Sequence, residues 1–131
     1  MFLDTSGLLC LQHASEAQHD TAIAYFDASF ERLTHSYVLA EYVALAQMRG
    51  FPRGEALAFV ADLQDSTEVD VVYVDEALHR AALELLQKRF DKSWSLADAV
   101  SFVLMQRSNL IEALTTDHHF EQAGFIRLLT P

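Results

Sequence analysis

Four acidic residues stand in stretches of the sequence that are otherwise apolar, where a charge is costly to bury. They are Asp4, Glu41, Asp98 and Asp117. Lys and Arg are absent from the segments around them, which are residues 1–12, 36–48, 93–106 and 110–117. Because buried carboxylates need a counter-charge, the pattern predicts one or two bound metal ions. Oxygen ligands without a paired Cys or His favour Mg²⁺ or Mn²⁺ over zinc.

Each acid also has a structural interpretation to be weighed. Asp4 precedes an apolar helical run and is as well suited to cap that helix as to bind a ligand. Asp98 and Ser95 have the spacing of a capping box, a role that leaves one carboxylate oxygen available for a metal. Asp117 is suited to cap a short helix, but its position directly after a predicted strand favours a site. Apolar neighbours on the helical face of Glu41 argue against a solvated role and favour a functional one.

The composition is that of a folded globular chain. At 131 residues with 51% hydrophobic content it is long enough to bury a core, and we expect residues 1–131 to form a single domain. No uncharged apolar run approaches the roughly 18 residues of a spanning helix, and the first residues carry no positive charge, so we expect a cytoplasmic protein without membrane contacts. The lone Cys10 excludes an internal disulfide and argues against a thiolate metal site.

The formal net charge of −10 argues against nucleic-acid binding, because affinity for phosphate backbones comes mainly from Lys and Arg. This objection weakens if the four carboxylates hold divalent cations, since the site then presents little negative charge to a phosphate. A basic set lies near Asp98 in the sequence and comprises Lys88, Arg89, Lys92 and Arg107. These residues either guide phosphate towards the site or are ordinary helix-end charges favoured by the macrodipole.

Apolar residues recur at helical spacing through most of the chain, with short apolar or β-branched runs between them. One predicted helical face comprises Ile23, Phe26, Phe30 and Leu33. The predicted strands are Phe2–Asp4, Leu33–His35, Val69–Val74, Ala113–Thr115 and Ile126–Leu129. This alternation predicts an α/β fold in three layers, with a central parallel sheet covered by helices.

A parallel sheet would bring the four acids to one edge, because ligands of such sheets bind beyond the carboxyl ends of the strands. Asp4 and Asp117 follow the first and fourth predicted strands. Glu41 lies in the early turns of the helix that leaves the second strand, and Asp98 lies in the first turn of the helix before the fourth. We therefore expect all four carboxylates to converge.

Several pieces of the sequence match a known family. They are Leu3-Asp4-Thr5-Ser6, Ala40-Glu41, the segment 94–102, Leu114-Thr115-Thr116-Asp117-His118-His119-Phe120 and Ala123-Gly124-Phe125. Through them the chain resembles PIN-domain ribonucleases, and most closely the VapC-like toxins of prokaryotic toxin-antitoxin modules. The similarity extends over essentially the whole length, although the segment before Asp4 is shorter than in many relatives.

The resemblance implies a parallel five-stranded sheet, cleavage of RNA with Mg²⁺ or Mn²⁺, a homodimer, and inhibition by a cognate antitoxin. It makes the four acids a catalytic quartet supported by the hydroxyl groups of Thr5, Ser6, Ser101 and Thr115. Within the quartet we expect Asp4 and Asp117 to contact metal directly. We expect Asp98 to be a second ligand or to hold a water molecule, and Glu41 to bind through water.

Three further residues have competing interpretations. We expect Trp94 to pack at the start of its helix rather than to stack on a base. His118 and His119 adjoin Asp117, but neighbours on a short helix face apart, so we expect a turn or surface role rather than two metal ligands.

Two alternative functions are weighed against the nuclease. A receiver-type phosphoacceptor domain has similar length and alternation, but such domains carry an acidic pair after the first strand and a Lys after the last. Here Asp4 stands alone, and the segment 126–129 brings no Lys. A catalytically silent interaction module would lack one of the acids, and none is missing.

Overall fold

The computed structural model describes residues 1–130, in which short strands alternate with helices. The strands in this range are β1 (Phe2–Leu3), β2 (Leu33–His35), β3 (Asp70–Val72), β4 (Glu112–Leu114) and β5 (Ile126–Arg127). The helices are α1 (Thr5–Gln12), α2 (His19–Ala28), α3 (Ser36–Met48), α4 (Arg53–Asp65), α5 (Glu76–Lys88), α6 (Leu96–Arg107) and α7 (His119–Gln122). None of these helices is long and apolar enough to span a bilayer.

The strands form one parallel sheet in the order β3-β2-β1-β4-β5. Phe2 of β1 pairs with Leu33 on one side and with Ala113 on the other, so the first strand is central. A central strand of a parallel sheet is covered on both faces, and both residues of β1 are accordingly apolar and fully buried. The predicted parallel five-stranded α/β fold is confirmed.

The predicted strand positions are right, but several predicted ends differ from the structure. Only Leu33–His35 has the predicted bounds. Regular pairing ends before Asp4 and before Thr115, because the chain turns there towards the next helix or loop.

The predicted helical face in α2 is also too long. Ser29 has an extended backbone (φ −84°, ψ 142°) and ends the helix. Phe30 beyond it is fully exposed, and Leu33 belongs to β2. The helical face therefore stops at Phe26.

Side-chain caps fix the starts of the two helices that carry Glu41 and Asp98. At the start of α3, the amide of Val38 donates to Nδ1 of His35 over 3.3 Å. At the start of α6, the Asp98 amide donates to Ser95 Oγ (3.0 Å) and the Ser95 amide donates to Asp98 Oδ2 (3.1 Å). The predicted capping box is present, and these caps satisfy amides that have no partner within the helix.

Aromatic packing closes the core behind α6 and α7. Phe102 contacts Phe120 edge to face, with ring centroids 5.0 Å apart. Trp94 is 7% exposed and packs edge-on against Phe102, also at 5.0 Å. Its indole Nε1 donates to Oε1 of Gln122 over 3.1 Å. The packing role predicted for Trp94 is therefore confirmed.

Helix α1 approaches β4 so closely that one position requires glycine. A Cβ atom at Gly7 would lie 2.0 Å from the carbonyl oxygen of Leu114. The same oxygen accepts a hydrogen bond from the amide of Asp4 over 3.2 Å. The missing side chain thus allows the start of α1 to lie against the end of β4, where Asp4 and the loop after β4 meet.

Gly7→Ala is expected to lower the free energy of unfolding by about 3 kcal/mol, because the added methyl group overlaps backbone that cannot move freely. Urea denaturation measures the change. Gly54→Ala is the matched control: no atom lies within 4 Å of a Cβ there, and Gly54 is in α4, so the change should be neutral or stabilising by up to about 1 kcal/mol. Equal stability of the two variants would refute the close approach.

Candidate active site

Asp4 lies directly after β1, at the carboxyl edge of the sheet, and is only 6% exposed. It precedes α1 with an extended backbone, but its side chain caps no amide of that helix within the described range. The carboxylate instead accepts a hydrogen bond from the Thr115 hydroxyl, with 2.7 Å between Oγ1 and Oδ2. The structure therefore does not support the helix-cap interpretation, and the side chain reaches across to the end of β4.

Burial raises the pKa of Asp4 from 3.8 to about 7. The hydrogen bond from Thr115 opposes this rise, whereas repulsion from the Asp98 and Glu41 carboxylates adds to it. This repulsion arises only because β1, α3 and α6 bring their acids close together. A negative charge on Asp4 is therefore unfavourable unless a cation accompanies it.

Glu41 lies on the open side of the site. Its Oε1 accepts a hydrogen bond of 2.5 Å from Oγ1 of Thr5, which ties α3 to the first residue of α1. The expectation that all four acids are buried holds for Asp4 and Asp98. It is wrong for Glu41, which is exposed to solvent, and Asp117 is only partly buried. Glu41 lines a surface cavity, whereas the adjacent Tyr42 is fully buried in the core.

Asp98 combines its capping role with a place in the site. Its carboxylate is buried, and Oδ2 lies 3.1 Å from Nδ1 of His119 in addition to accepting the Ser95 amide. The capping bond holds Asp98 in the first turn of α6. Both contacts engage Oδ2, so Oδ1 is the oxygen that the capping role leaves available.

Asp117 lies in the loop after β4, which side-chain hydrogen bonds hold in place. Its amide donates to Thr115 Oγ1 over 3.0 Å, and its Oδ1 accepts the amide of His119 over 2.9 Å. Its Oδ2 lies 3.4 Å from Nδ1 of His119. His119 therefore lies between Asp98 and Asp117 and connects α6 to this loop.

Two of the four predicted hydroxyl groups bond acids directly, and a third, that of Ser6, bonds one of these hydroxyls. Thr5 bonds Glu41 and Thr115 bonds Asp4. The oxygen atoms of Ser6 and Thr115 are 3.1 Å apart, and Ser6 Oγ accepts the amide of Thr116 over 2.9 Å. Because the single hydroxyl proton of Thr115 is donated to Asp4, Ser6 is the donor in the Ser6–Thr115 pair.

The fourth predicted hydroxyl, that of Ser101, is bonded elsewhere. It lies 2.9 Å from Nε2 of His35 and donates to the carbonyl oxygen of Ala97 over 3.0 Å. Burial lowers the pKa of His35 to about 4, so this imidazole is neutral at physiological pH. Its Nδ1 accepts the Val38 amide, so Nε2 carries the proton and donates to Ser101. Ser101 therefore joins the base of α3 to α6 and contacts the acids only through the backbone.

The expectation that His118 and His119 face apart is wrong, whereas the turn and surface position expected of His118 is confirmed. Their ring centroids are 4.6 Å apart, and each offers a ligand atom within 4.8 Å of one on Asp117. Helix α7 begins only at His119, so His118 lies in a turn to which helical spacing does not apply. The sequence feature that could have indicated this grouping is the run Asp117-His118-His119 shortly after a predicted strand.

Asp4, Glu41 and Asp117 line an open cavity of about 620 Å³, whereas Asp98 lies outside its lining. Its lining includes Asp4, Glu41, Asp117, His118 and one basic residue, Arg127 on β5. Within residues 1–130, the ion pairs of the four acids involve histidine alone. Lys and Arg therefore form no ion pair with the four acids in the described part of the chain.

Sequence reasoning overlooked Arg127, whose guanidinium has two protein partners. Nε pairs with Oε1 of Glu121 at 2.6 Å, and Nη1 donates to the carbonyl oxygen of Thr116 over 3.2 Å. A single Arg in the last strand belongs to no recognisable motif. Only the pairing of β5 with β4 shows that Arg127 lies at the site.

Three members of the predicted basic set are paired with acids. Lys88 pairs with Glu84 at 3.0 Å. Arg89 and Lys92 both pair with Asp91, at 3.0 and 3.9 Å. These exposed pairs are consistent with ordinary surface charges, and the guiding role of the basic set stays a prediction.

The donor set of the site fits a hard divalent cation. Carboxylate oxygens converge from four different elements, neutral hydroxyl and amide groups orient them, and the described residues provide no Lys or Arg ion pair to compete. Oxygen ligands of this kind suit Mg²⁺ and Mn²⁺. Chemically, such a site polarises phosphoryl oxygens and activates water.

Comparison with known proteins identifies the class. Residues 1–126 match the PIN domain, and the chain belongs to the PIN-domain family. It is 31% identical over 129 residues to the 23S rRNA-specific endonuclease VapC20 of Mycobacterium tuberculosis, in strains CDC 1551 / Oshkosh and ATCC 25618 / H37Rv, covering 98% of this chain and 97% of VapC20.

The fold agrees with a solved member of this family. The crystal structure of M. tuberculosis VapC20, described as a sarcin-ricin loop cleaving toxin, is similar to this chain with a TM-score of 0.87 and 32% identity. The match covers 99% of this chain and 98% of VapC20. The resemblance to PIN-domain and VapC-like proteins predicted from the sequence is confirmed.

Asp4→Asn is expected to change how stability depends on pH in the metal-free chain. The pKa of Asp4 is raised to about 7 in the fold, so the protonated side chain stabilises the fold fully below pH about 4, and this contribution is lost as pH rises through about 7. Asn removes the titration. The variant should therefore be more stable than the parent at pH 8, by up to about 4 kcal/mol, and lose this advantage at pH 4.

Urea denaturation from pH 4 to 8 in the presence of a chelator measures this difference. Asp62→Asn, at an exposed position on α4, controls for the loss of one negative charge and should show little change with pH. A stability difference between parent and Asp4→Asn that is constant across this range would contradict the raised pKa.

Proposed function

We propose that this chain is a metal-dependent endoribonuclease that cleaves RNA phosphodiester bonds, and that it is the toxin of a toxin-antitoxin pair. The observation that carries the proposal is the convergence of Asp4, Glu41, Asp98 and Asp117 at one sheet edge without a Lys or Arg ion pair in the described range. Membership of the PIN-domain family and similarity to VapC20 support it.

The proposed ligands of one or two Mg²⁺ or Mn²⁺ ions are Asp4, Asp98 and Asp117, with Glu41 bound through water. These ions would supply activation of water and neutralisation of the leaving oxygen. The Thr115 hydroxyl orients the Asp4 carboxylate, and the loop bonds of Asp117 hold its oxygens beside it. Glu41, held by Thr5 on the open side, is placed to orient the attacking water from the cavity.

Arg127 is the proposed phosphate-binding residue. It is the basic side chain in the lining of the cavity, and its side chain is only 19% exposed because Glu121 and the Thr116 carbonyl hold it. A guanidinium has five donors and binds phosphate oxygens in pairs. The partly exposed Glu121 can release Arg127 when a phosphate replaces its carboxylate.

The remaining proposals follow from the relatives. VapC20 is named for cleavage of 23S rRNA, and ribosomal RNA is accordingly the substrate proposed first for this chain. A cognate antitoxin, a homodimer, one nuclease domain over residues 1–131 and a cytoplasmic location complete the proposal. Loss of an acid would instead indicate a silent interaction module, and all four are present.

Asp98→Asn is expected to lower RNA cleavage at least about 100-fold, because it removes a proposed ligand charge while an amide oxygen still caps α6. Ribosomal, transfer and messenger RNA are incubated with Mg²⁺ or Mn²⁺, with and without chelator, and cleavage is measured by primer extension. Asp75→Asn is the matched control, since Asp75 caps α5 by accepting the Leu78 amide over 2.8 Å, but unlike Asp98 it is not among the acids that repel Asp4.

Cleavage by the parent that persists in chelator, or equal cleavage by the two variants, would contradict the proposed mechanism. Absence of cleavage on every RNA class, with a binding protein that co-purifies, would favour the silent module.

Arg127→Gln is expected to weaken RNA binding and to reduce the salt slope of log K by about 1, as loss of one phosphate contact requires. Binding is measured in the Asp98→Asn background so that cleavage does not interfere. Glu121→Gln, which leaves Arg127 in place but frees its guanidinium, should strengthen binding. Arg53→Gln, at an exposed position on α4, controls for net charge, and an equal loss there would refute a specific role for Arg127.

A further inference from the structure

Two imidazoles stand beside Asp117, although a site of hard oxygen ligands has no need of them. His118 lines the cavity, and 65% of its side chain is exposed. His119 lies deeper, with 19% exposed, between Asp98 and Asp117. We call these four side chains, Asp98, Asp117, His118 and His119, the histidine cluster.

The distances in the histidine cluster are those of a coordination shell. Nδ1 of His119 lies 3.1 Å from Asp98 Oδ2 and 3.4 Å from Asp117 Oδ2, and Nδ1 of His118 lies 3.6 Å from Asp117 Oδ1. An ion with bonds of about 2.1 Å holds neighbouring donors about 3.0 Å apart in an octahedron and about 3.4 Å apart in a tetrahedron. Ligand atoms of Asp117, His118 and His119 all lie within 4.8 Å of one another, so these three side chains can reach one ion, and Asp98 adjoins them through His119.

The backbone around the cluster limits how far these donors can move. The His119 amide donates to Asp117 Oδ1 over 2.9 Å, and the Asp117 amide donates to the Thr115 hydroxyl over 3.0 Å. On the other side, the Ser95 amide holds Asp98 Oδ2. The donors thus lie on a hydrogen-bonded loop and on a capped helix. His118 is exposed and lines the cavity, so an ion can reach it from solvent.

We propose that the histidine cluster is a binding site for a borderline divalent transition ion, of the series from Fe²⁺ to Zn²⁺, that discriminates against Mg²⁺. Imidazole nitrogen is a good ligand for these ions, whereas Mg²⁺ requires oxygen ligands and retains its water. Because the site uses neither Asp4 nor Glu41, the inference does not require that the chain cleaves RNA.

The consequence for the proposed nuclease is a shared pair of ligands. Asp98 and Asp117 belong both to the histidine cluster and to the quartet, so an ion held by His118 and His119 changes which oxygens remain beside Asp4. The metal that the cell supplies would then determine whether Asp98 and Asp117 are available to the ions of the quartet.

The test is a titration of the full, metal-stripped chain with Co²⁺, followed by its visible absorption, in the absence and presence of excess Mg²⁺. The parent should bind one Co²⁺ with nitrogen-ligand absorption, and Mg²⁺ should not displace it. The double variant His118→Ala, His119→Asn should weaken Co²⁺ binding on the order of 100-fold, and His118→Ala alone, at an exposed position, about tenfold. Thermal unfolding of each variant verifies the fold.

Two controls separate the histidine cluster from other sites. His79→Asn removes an imidazole whose partner is Tyr37, at 2.6 Å, and should leave Co²⁺ binding unchanged. Asp4→Asn should abolish RNA cleavage yet keep Co²⁺ affinity, so that failure of the nuclease proposal and failure of this inference give different results. Unchanged Co²⁺ binding in the single and double histidine variants, displacement by Mg²⁺, or loss of binding in Asp4→Asn overturns the inference.

Discussion

The buried carboxylate of Asp4 is the constraint on which the rest of the site depends. It is desolvated, repelled by Asp98 and Glu41, and without a Lys or Arg ion pair in the described residues. Proteins usually balance such a charge with a cation of their own. On the proposed function the balance would come from a bound cation, which would then also stabilise the fold. An apolar residue at this position would favour stability at the expense of the site.

Neutral groups hold the acids in place against their repulsion. Hydroxyl groups bond Asp4 and Glu41, and backbone amides bond Asp98 and Asp117. A neutral donor stabilises a carboxylate without cancelling its charge, so the site keeps its attraction for a cation. His35 is neutral as well, and it holds two helices together. Its bonds join the start of α3 to the first turns of α6.

The convergence of the acids was predictable because it follows from topology. In a parallel sheet, residues that end strands and residues that start the adjoining helices meet at one edge, and this argument alone places Asp4, Asp98 and Asp117. Strand ends and the limit of α2 were less predictable, since short ladders and one extended residue, Ser29, decide them. Local periodicity does not describe such endings.

What could not be predicted depends on loops and on long-range pairs. The conformation of residues 115–118 turns His118 and His119 to the same side, and no helical or strand period applies there. Ser101 lies one turn from Asp98, as a supporting hydroxyl should, but the buried His35 needs a partner and takes it. That need arises from burial, which joins residues far apart in the sequence.

The negative surface of the chain determines how it must bind a polyanion. With nineteen acidic and nine basic residues, long-range forces repel RNA from most of the surface. On the proposed function, attraction is confined to the cavity, where Arg127 lies in one lining with acids that would hold cations. An RNA that fits there gains contacts to its phosphates, and one that touches the surface elsewhere gains little. A strongly acidic chain therefore achieves selectivity in part by weak binding to every RNA that does not place a phosphate in this cavity.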